Sequence, residues 1–131
     1  MQEYCQYIRN IFHLITPIDM FKLIARFSIP CKIDNLEQAA LYQNEIMYYD
    51  KHFSKEQLNY SLAVELAKLL YNFEYTVTIG NEFATELLIP TSEFINLVFN
   101  TEKINLQHLA NHFQVPSHII NIRGKVLNLW K

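Results

Sequence analysis

Length, composition and charge limit the class of protein. The 131 residues fit a single domain with one hydrophobic core. Half of them are hydrophobic and 14% are aromatic, which excludes a disordered chain, and two glycines are too few for a glycine-rich phosphate loop. Residues 1–100 hold seven basic and twelve acidic side chains, whereas residues 101–131 hold four basic and one acidic. An acidic body with a mildly basic C-terminal segment does not by itself indicate nucleic-acid binding.

The cysteines and the apolar segments bear on the cellular compartment. Cys5 and Cys31 are the only cysteines, and they form no C-x-x-C motif. The sequence has no apolar run of about 18 residues and no basic segment ahead of an apolar one near Met1. We therefore expect a reduced, cytoplasmic protein with no membrane partner.

The first part of the chain predicts two helices and a short strand. Apolar residues at helical spacing predict the first helix over about Glu3–Ile15. The sequence Thr16-Pro17-Ile18-Asp19 is typical of a helix start with Thr16 as its N-cap, and the second helix is expected to end before Pro30. Cys31–Ile33 is predicted to form a strand.

The middle of the chain holds the clearest helix start. Leu36–Tyr42 is predicted as a helical or turn-like link, and Glu45–Tyr49 as a strand. Ser54-Lys55-Glu56-Gln57 matches a capping box and opens a long apolar helix over Lys55–Asn72. A strand-like run, Tyr75–Ile79, follows this helix.

Four further helices are predicted in the last part of the chain, over Asn81–Ile89, Glu93–Phe99, Leu106–Phe113 and about His118–Asn128. The expected N-caps of the last three are Thr91 or Ser92, Asn105, and Ser117. Together these elements predict a single domain over residues 1–131. Its class is α+β, mostly helical, with a sheet of two or three strands.

Three segments, taken in chain order, form a pattern that is similar to a known protein family. Ile46–Ala63 holds a strand, a turn and the capping box; Asn81–Pro90 reads NEFATELLIP; and Leu109–Arg123 holds Leu-Ala, Phe-Gln-Val-Pro-Ser and an arginine. In this order they resemble the ImmA/IrrE family of zinc metallopeptidases. The resemblance implies a zincin-like α+β domain, in which helices surround a small sheet and a C-terminal helical segment follows.

The active-site helix of that family reads H-E-x-x-H, in which two histidines bind zinc and the glutamate is the general base. The matching residues here are Val64-Glu65-Leu66-Ala67-Lys68. Val64 and Lys68 occupy the two histidine positions, and Val77 occupies the position of the third ligand. The resemblance therefore implies a degenerate member that is not an enzyme and holds no metal or cofactor. Glu65 is the remnant of the general base, and its spacing to Lys68 favours a simple ion pair.

The former substrate cleft is the expected binding surface of such a protein. Its predicted lining is Val64, Glu65, Lys68, Asn81, Glu82 and Glu86. Family members from phages and mobile elements typically act on helix-turn-helix repressors. The resemblance thus implies a regulatory pseudo-protease that binds a repressor without cutting it. A mobile-element inhibitor that binds a host defence protein is an alternative with the same physical basis.

A different interpretation concerns residues 105–128, whose pattern is also typical of a helix-turn-helix. The second helix offers four candidate DNA contacts, which are His118, Asn121, Arg123 and Lys125. So few cations give weak nonspecific affinity, and the acidic body opposes it, so a DNA-binding regulator is the less favoured alternative.

His108 and His112 lie four residues apart on a predicted helix, which is also a zinc-ligand spacing. No acidic residue lies between them, and no further ligand follows at a suitable interval. Two histidines on a solvated helix face are the favoured interpretation.

Overall fold

Seven α-helices and one three-stranded sheet form the fold, in a computed structural model that describes all of residues 1–131. The helices are α1 (Gln2–Ile11), α2 (Met20–Arg26), α3 (Lys55–Tyr71), α4 (Val77–Leu88), α5 (Thr91–Phe99), α6 (Leu106–Phe113) and α7 (Ser117–Val126). The strands are β1 (Cys31–Ile33), β2 (Ala40–Gln43) and β3 (Ile46–Tyr49). The predicted α+β, mostly helical class is confirmed.

The sheet has the strand order β1-β3-β2, so β3 lies in the centre. β1 runs parallel to β3, and β2 runs antiparallel to it. A two-residue turn joins β2 to β3, and both of its residues, Asn44 and Glu45, have a positive φ (54° and 64°). Such a turn has the twist that matches the flanking strands of a tight hairpin.

The prediction of a helical or turn-like link over Leu36–Tyr42 is wrong, because residues from Ala40 onward form β2. This segment becomes a strand through pairing with β3 across the hairpin, an interaction that local propensity does not report. The strands predicted at Cys31–Ile33 and Glu45–Tyr49 are both present, the second from Ile46 onward.

Helix α3 lies at the centre of the fold and packs against α2, α4 and the sheet. Its buried face combines small and large apolar side chains, which are Leu62, Ala63, Leu66 and Ala67. The alanines let α4 approach closely, and α4 in turn buries Phe83 and Leu87 completely. The contact between α3 and α4 therefore forms the middle of the hydrophobic core.

Two of the predicted helix caps are present as expected. The Ser54 hydroxyl accepts from the Gln57 amide N–H (3.1 Å), and the Gln57 side chain accepts from the Ser54 N–H (3.0 Å), which completes the capping box. The Asn105 side chain accepts from the N–H of His108 (3.1 Å) at the start of α6.

The first helix is shorter than predicted and ends at Ile11 instead of Ile15. His13 adopts a left-handed conformation (φ 53°), and the Leu14 N–H donates to the Arg9 carbonyl (2.9 Å). This hydrogen bond closes the helix with a Schellman-type turn.

Thr16 does not cap the second helix. α2 begins at Met20, where the Asp19 carboxylate accepts from the Lys22 N–H (3.2 Å). The Thr16 hydroxyl instead donates to the Glu93 carboxylate (2.8 Å), so a long-range contact takes the side chain that the local motif would use.

The strand predicted over Tyr75–Ile79 is wrong, because α4 begins at Val77. The Thr76 hydroxyl accepts from the Ile79 N–H (3.1 Å) and caps the helix. The cap and the burial of the following helix against α3 outweigh the β-propensity of the run.

The starts of α5 and α7 also differ from the predicted caps. Pro90 and Pro116 are the N-cap residues, so the helices begin at Thr91 and Ser117 without a side-chain cap. The Thr91 hydroxyl instead accepts a hydrogen bond from the Arg123 guanidinium (2.8 Å). α7 ends at Val126, ahead of the predicted end near Asn128, which takes a left-handed conformation (φ 59°).

Asn59 joins three parts of the fold through one buried amide. Its Oδ1 accepts from the N–H of Met20 (3.0 Å) at the start of α2, and its Nδ2 donates to the Gln114 carbonyl (3.1 Å) between α6 and α7. The replacement Asn59→Ala leaves both backbone groups without this partner. We expect a loss of about 1–3 kcal/mol in the free energy of unfolding, measured by urea denaturation.

The control is Asn96→Ala, which removes an exposed amide from a helix and is expected to change stability by less than about 0.5 kcal/mol. Equal effects of the two substitutions would contradict the role given to Asn59.

Candidate functional site

Glu65 lies in the middle of α3, and one oxygen of its carboxylate makes two structural contacts. Its Oε1 accepts from the backbone N–H of Tyr42 in β2 (2.8 Å) and lies 2.6 Å from the Nζ of Lys68. Glu65 is 7% exposed. The ion pair expected from the spacing is therefore present, and the same carboxylate also satisfies a backbone donor at the edge of the sheet.

Two of the three positions predicted to match zinc ligands hold a valine, which has no ligating group. Val64 is half-buried in α3, and Val77 is exposed at the start of α4. Between them, a Cβ on Gly80 would lie 2.8 Å from the Tyr75 hydroxyl and 3.0 Å from the Val64 side chain. Glycine thus lets the Tyr75 ring fill the space between the helices. Burial, and the nearby negative charge of Glu65, raise the pKa of Tyr75.

No group of three histidine, cysteine, aspartate or glutamate side chains converges anywhere in the structure. His112 has a partner on another helix, because its Nε2 lies 3.2 Å from the Glu93 Oε1. Glu93 also accepts from Thr16 and lies 3.9 Å from Arg9. His112 therefore belongs to a polar network that connects α1, α5 and α6.

The largest concave surface near the predicted cleft is a groove between α4 and α7, with a volume of about 620 Å³. We call it the α4–α7 groove. It is lined by Met1, Tyr60, Asn81, Glu82, Thr85, Glu86, His118, Ile119, Ile122, Arg123 and Val126. Two apolar side chains on the α7 side are largely exposed, Ile122 by 52% and Val126 by 67%. The groove thus offers apolar contacts on one wall and polar side chains on the other.

The polar wall of the groove is ordered by hydrogen bonds within α4 and to α3. The Tyr60 hydroxyl donates to the Asn81 Oδ1 (2.7 Å), and the Thr85 hydroxyl donates to the Asn81 carbonyl (2.8 Å). Burial raises the pKa of Tyr60, so its hydroxyl keeps its proton at neutral pH and remains a donor. Glu82 is exposed at this wall and makes no hydrogen bond or ion pair within the chain.

Arg123 holds the other wall of the groove in place. Its side chain is 4% exposed, and its guanidinium donates to both carboxylate oxygens of Glu86 (3.1 and 3.2 Å). It also donates to the Ile89 carbonyl (3.1 Å) and the Thr91 hydroxyl (2.8 Å). The guanidinium predicted to contact DNA is therefore buried, and its partners lie in α4, at its C-terminal end and at the start of α5.

The other predicted DNA contacts divide into two kinds. The Asn121 Oδ1 accepts from the Trp130 indole N–H (3.0 Å), and the Trp130 ring packs so closely on Gly124 that a Cβ there would lie 1.9 Å from it. His118 and Lys125 are exposed. The outer face of α7 therefore presents Lys125, together with apolar side chains, instead of a basic surface.

The six residues predicted to line one cleft fall into two places. Asn81, Glu82 and Glu86 line the α4–α7 groove, whereas Val64, Glu65 and Lys68 do not. The sequence interpretation missed the α7 wall, although Ile122 and Val126 are four residues apart on a predicted helix. That spacing marks a second apolar stripe beside the buried one, and it is the signal that could have found the groove.

No family model matches the sequence, and no curated protein shows significant similarity to it. The relation to ImmA/IrrE metallopeptidases accordingly stays a prediction based on the three segments and their order. None of the seven helices is both long and apolar enough to cross a bilayer.

Substituting Arg123 tests the assignment of a structural role to its side chain. Arg123→Met leaves the Glu86 carboxylate without its buried partner, so we expect the free energy of unfolding to fall by about 3–5 kcal/mol. Urea denaturation followed by circular dichroism measures the loss. Adding Glu86→Leu is expected to restore most of it, because the unpaired charge is removed.

The matched control is Lys125→Met, an exposed basic residue two positions along α7, with an expected change below about 0.5 kcal/mol. A neutral result for Arg123→Met would contradict the buried ion pair.

Proposed function

We propose that this protein is a non-catalytic regulatory module that binds another protein in the α4–α7 groove. The observation that carries the proposal is the pairing of exposed apolar side chains, Ile122 and Val126, with the free carboxylate of Glu82 across one groove. The first candidate partner is a helix-turn-helix repressor, which would be blocked by binding without being cut.

The state of Glu65 supports the non-catalytic part of this proposal. A general base needs a carboxylate that can reach a water or a substrate proton. Here the carboxylate bonds the Tyr42 N–H and pairs with Lys68, and both contacts hold it against the sheet. Lysine at this position also places a positive charge where the resembled enzymes hold a zinc ion.

The chemistry of the groove supports an amphipathic, cationic helix as its occupant. An apolar helix face can bury Ile122 and Val126, whose exposed methyl groups each add favourable transfer free energy. Glu82 attracts a lysine or arginine on the edge of that helix, and the net acidic charge of residues 1–100 favours approach of a basic partner. The groove residues that carry positive charge contribute little, since Arg123 is neutralised by Glu86.

A repressor fits this description for a physical reason. The outer face of the DNA-reading helix in a helix-turn-helix protein presents basic residues for phosphate contact and some apolar side chains that contact thymine methyl groups. A partner that covers such a helix prevents DNA binding without any chemical step. The setting for this activity is the cytoplasm. If the partner is a host defence protein instead, the same surface makes the protein a mobile-element inhibitor.

Purification of tagged protein from its native host, with nuclease treatment and mass spectrometry, tests the proposal. We expect one protein to be recovered at near-equal amount with the unmodified chain. Ile122→Lys loses apolar contact and adds a charge that repels a basic helix, so it is expected to reduce that recovery at least tenfold. Ile15→Lys is the control, because Ile15 is exposed and lies outside the groove.

Three results would contradict the proposal. Recovery of the partner by Ile122→Lys at the level of Ile15→Lys would exclude the groove. A preparation that contains zinc and cleaves protein would exclude a non-catalytic role. Nucleic acid retained up to the nuclease step, with no protein partner, would favour the DNA-binding alternative.

A further inference from the structure

The two edges of the sheet differ in how many of their outward backbone groups are hydrogen-bonded by the rest of the chain. At the β2 edge, the outward N–H of Tyr42 donates to Glu65 (2.8 Å), and the outward carbonyl of Ala40 accepts from the Gln38 amide (2.7 Å). Side chains therefore occupy two of the four outward backbone groups at this edge, one on Ala40 and one on Tyr42. This partial closure disfavours strand addition to β2.

The β1 edge carries no such closure. Pairing with β3 uses the Pro30 carbonyl, which accepts from Met47, and the Asp34 N–H, which donates to Tyr49 (both 2.9 Å). In a parallel ladder with this register, Lys32 between them also bonds β3, while the N–H and C=O of Cys31 and Ile33 point outward. These four outward groups have no hydrogen-bond partner within the chain, and all three residues of β1 are exposed.

The side chains of β1 determine which side chains an added strand should carry on each of its faces. Cys31 and Ile33 lie on the face of the sheet that carries Met47, which is completely buried, and Ile33 is 60% exposed. Lys32 lies on the opposite face. An added strand therefore extends the core if it places apolar side chains beside Cys31 and Ile33. It satisfies the charge of Lys32 if it places a carboxylate beside that residue.

We propose that the β1 edge is a second binding site, which takes an extended segment of a partner protein with an apolar–acidic–apolar pattern by antiparallel strand addition. Cys31 and Ile33 each exchange two backbone hydrogen bonds with the segment, and its acidic residue faces Lys32. The occupant has to be an extended polypeptide, since only its backbone repeats donors and acceptors at the spacing of this edge. The site does not depend on the α4–α7 groove.

A second copy of this chain is the alternative occupant. With Lys32 on the twofold axis of an antiparallel pair, two Lys32 side chains face each other, which is unfavourable. With the axis at Ile33, each Lys32 instead faces Asp34 of the other copy. Because an exposed lysine is a common means by which edge strands avoid self-association, we assign the edge to a partner segment, and the oligomeric state of the free chain tests for the second copy.

An NMR titration of the isotopically labelled full chain tests the site. The probe is the peptide acetyl-Thr-Val-Glu-Val-Thr-amide, and NMR detects the weak binding expected of a three-residue contact. We expect shifts concentrated at Cys31–Ile33 and slower hydrogen exchange of the Cys31 and Ile33 amides. Ile33→Pro removes an outward N–H and leaves the bonds to β3 in place, so it is expected to abolish binding. Ile33→Ala, which keeps the N–H, is expected to retain binding at reduced affinity.

Charge reversal tests the role of Lys32 separately. Replacing the central glutamate of the peptide by lysine is expected to weaken binding about two- to fivefold, which is the range for a cross-strand charge pair. Lys32→Glu is expected to reverse this preference. Ile122→Lys, in the α4–α7 groove, is expected to leave peptide binding unchanged, so that failure of one site is distinguishable from failure of the other.

Three outcomes would overturn the proposal. The first is the absence of shifts at β1 when the peptide is in large excess. The second is equal binding by Ile33→Pro and Ile33→Ala with native spectra for both. The third is dimerisation of the free chain, seen by analytical ultracentrifugation and abolished by Ile33→Pro, which would make a second copy the occupant.

Discussion

The ion pair between Arg123 and Glu86 is the contact on which the surface of this protein depends. It joins the last helix to α4 through a guanidinium that also binds the Ile89 carbonyl and the Thr91 hydroxyl. Removing one member of such a buried pair is far more costly than removing an exposed charge. Arg123 therefore helps to hold α7 beside α4, together with the packing of α7 on α6 and the burial of Ile119 and Ile120.

The same contact changes how the function of the two C-terminal helices is interpreted. α6 and α7 are joined by three residues and have the form of a helix-turn-helix. A DNA-reading helix needs its basic side chains on the outer face, and here the arginine is directed inward. What remains outside is Lys125 beside the apolar Ile122 and Val126, which suits a protein partner better than a phosphate backbone.

Glu65 plays a comparable part on the other side of α3. Its carboxylate is held by Lys68 on its own helix and by the Tyr42 N–H on the neighbouring strand. Glu65 thus occupies one outward backbone group at the β2 edge of the sheet. The outward backbone groups of β1, by contrast, have no hydrogen-bond partner within the chain.

The sequence predicts those elements whose formation depends on interactions between residues close together in the chain. The capping box at Ser54 and the cap at Asn105 predicted the starts of α3 and α6, because each cap is complete within four residues. β2 was not predicted, since a strand of four residues becomes one only by pairing with β3. The Tyr75–Ile79 run is rich in β-branched residues and predicts a strand, whereas in the fold it holds the cap at Thr76 and the first turn of α4.

The candidate site shows the same division between local and distant contacts. The pairing of Glu65 with Lys68 could be predicted, because both residues lie on one helical turn. The burial of Arg123 could not be predicted, since its carboxylate partner Glu86 lies 37 residues earlier and no residue near Arg123 in the sequence indicates this contact. The spacing of Ile122 and Val126 indicates an apolar stripe on α7, but the sequence does not show that this stripe lies beside α4.

We infer that the Arg123 wall of the groove is fixed structure and not a nucleic-acid contact. The most direct measurement is a ¹H–¹⁵N NMR spectrum of the Arg123 Nε–H during titration with random-sequence duplex DNA at low salt. We expect a slowly exchanging Nε–H signal that does not move, and no shifts along the outer face of α7. A rapidly exchanging signal, or shifts concentrated at Arg123 and Lys125 as DNA is added, would contradict it.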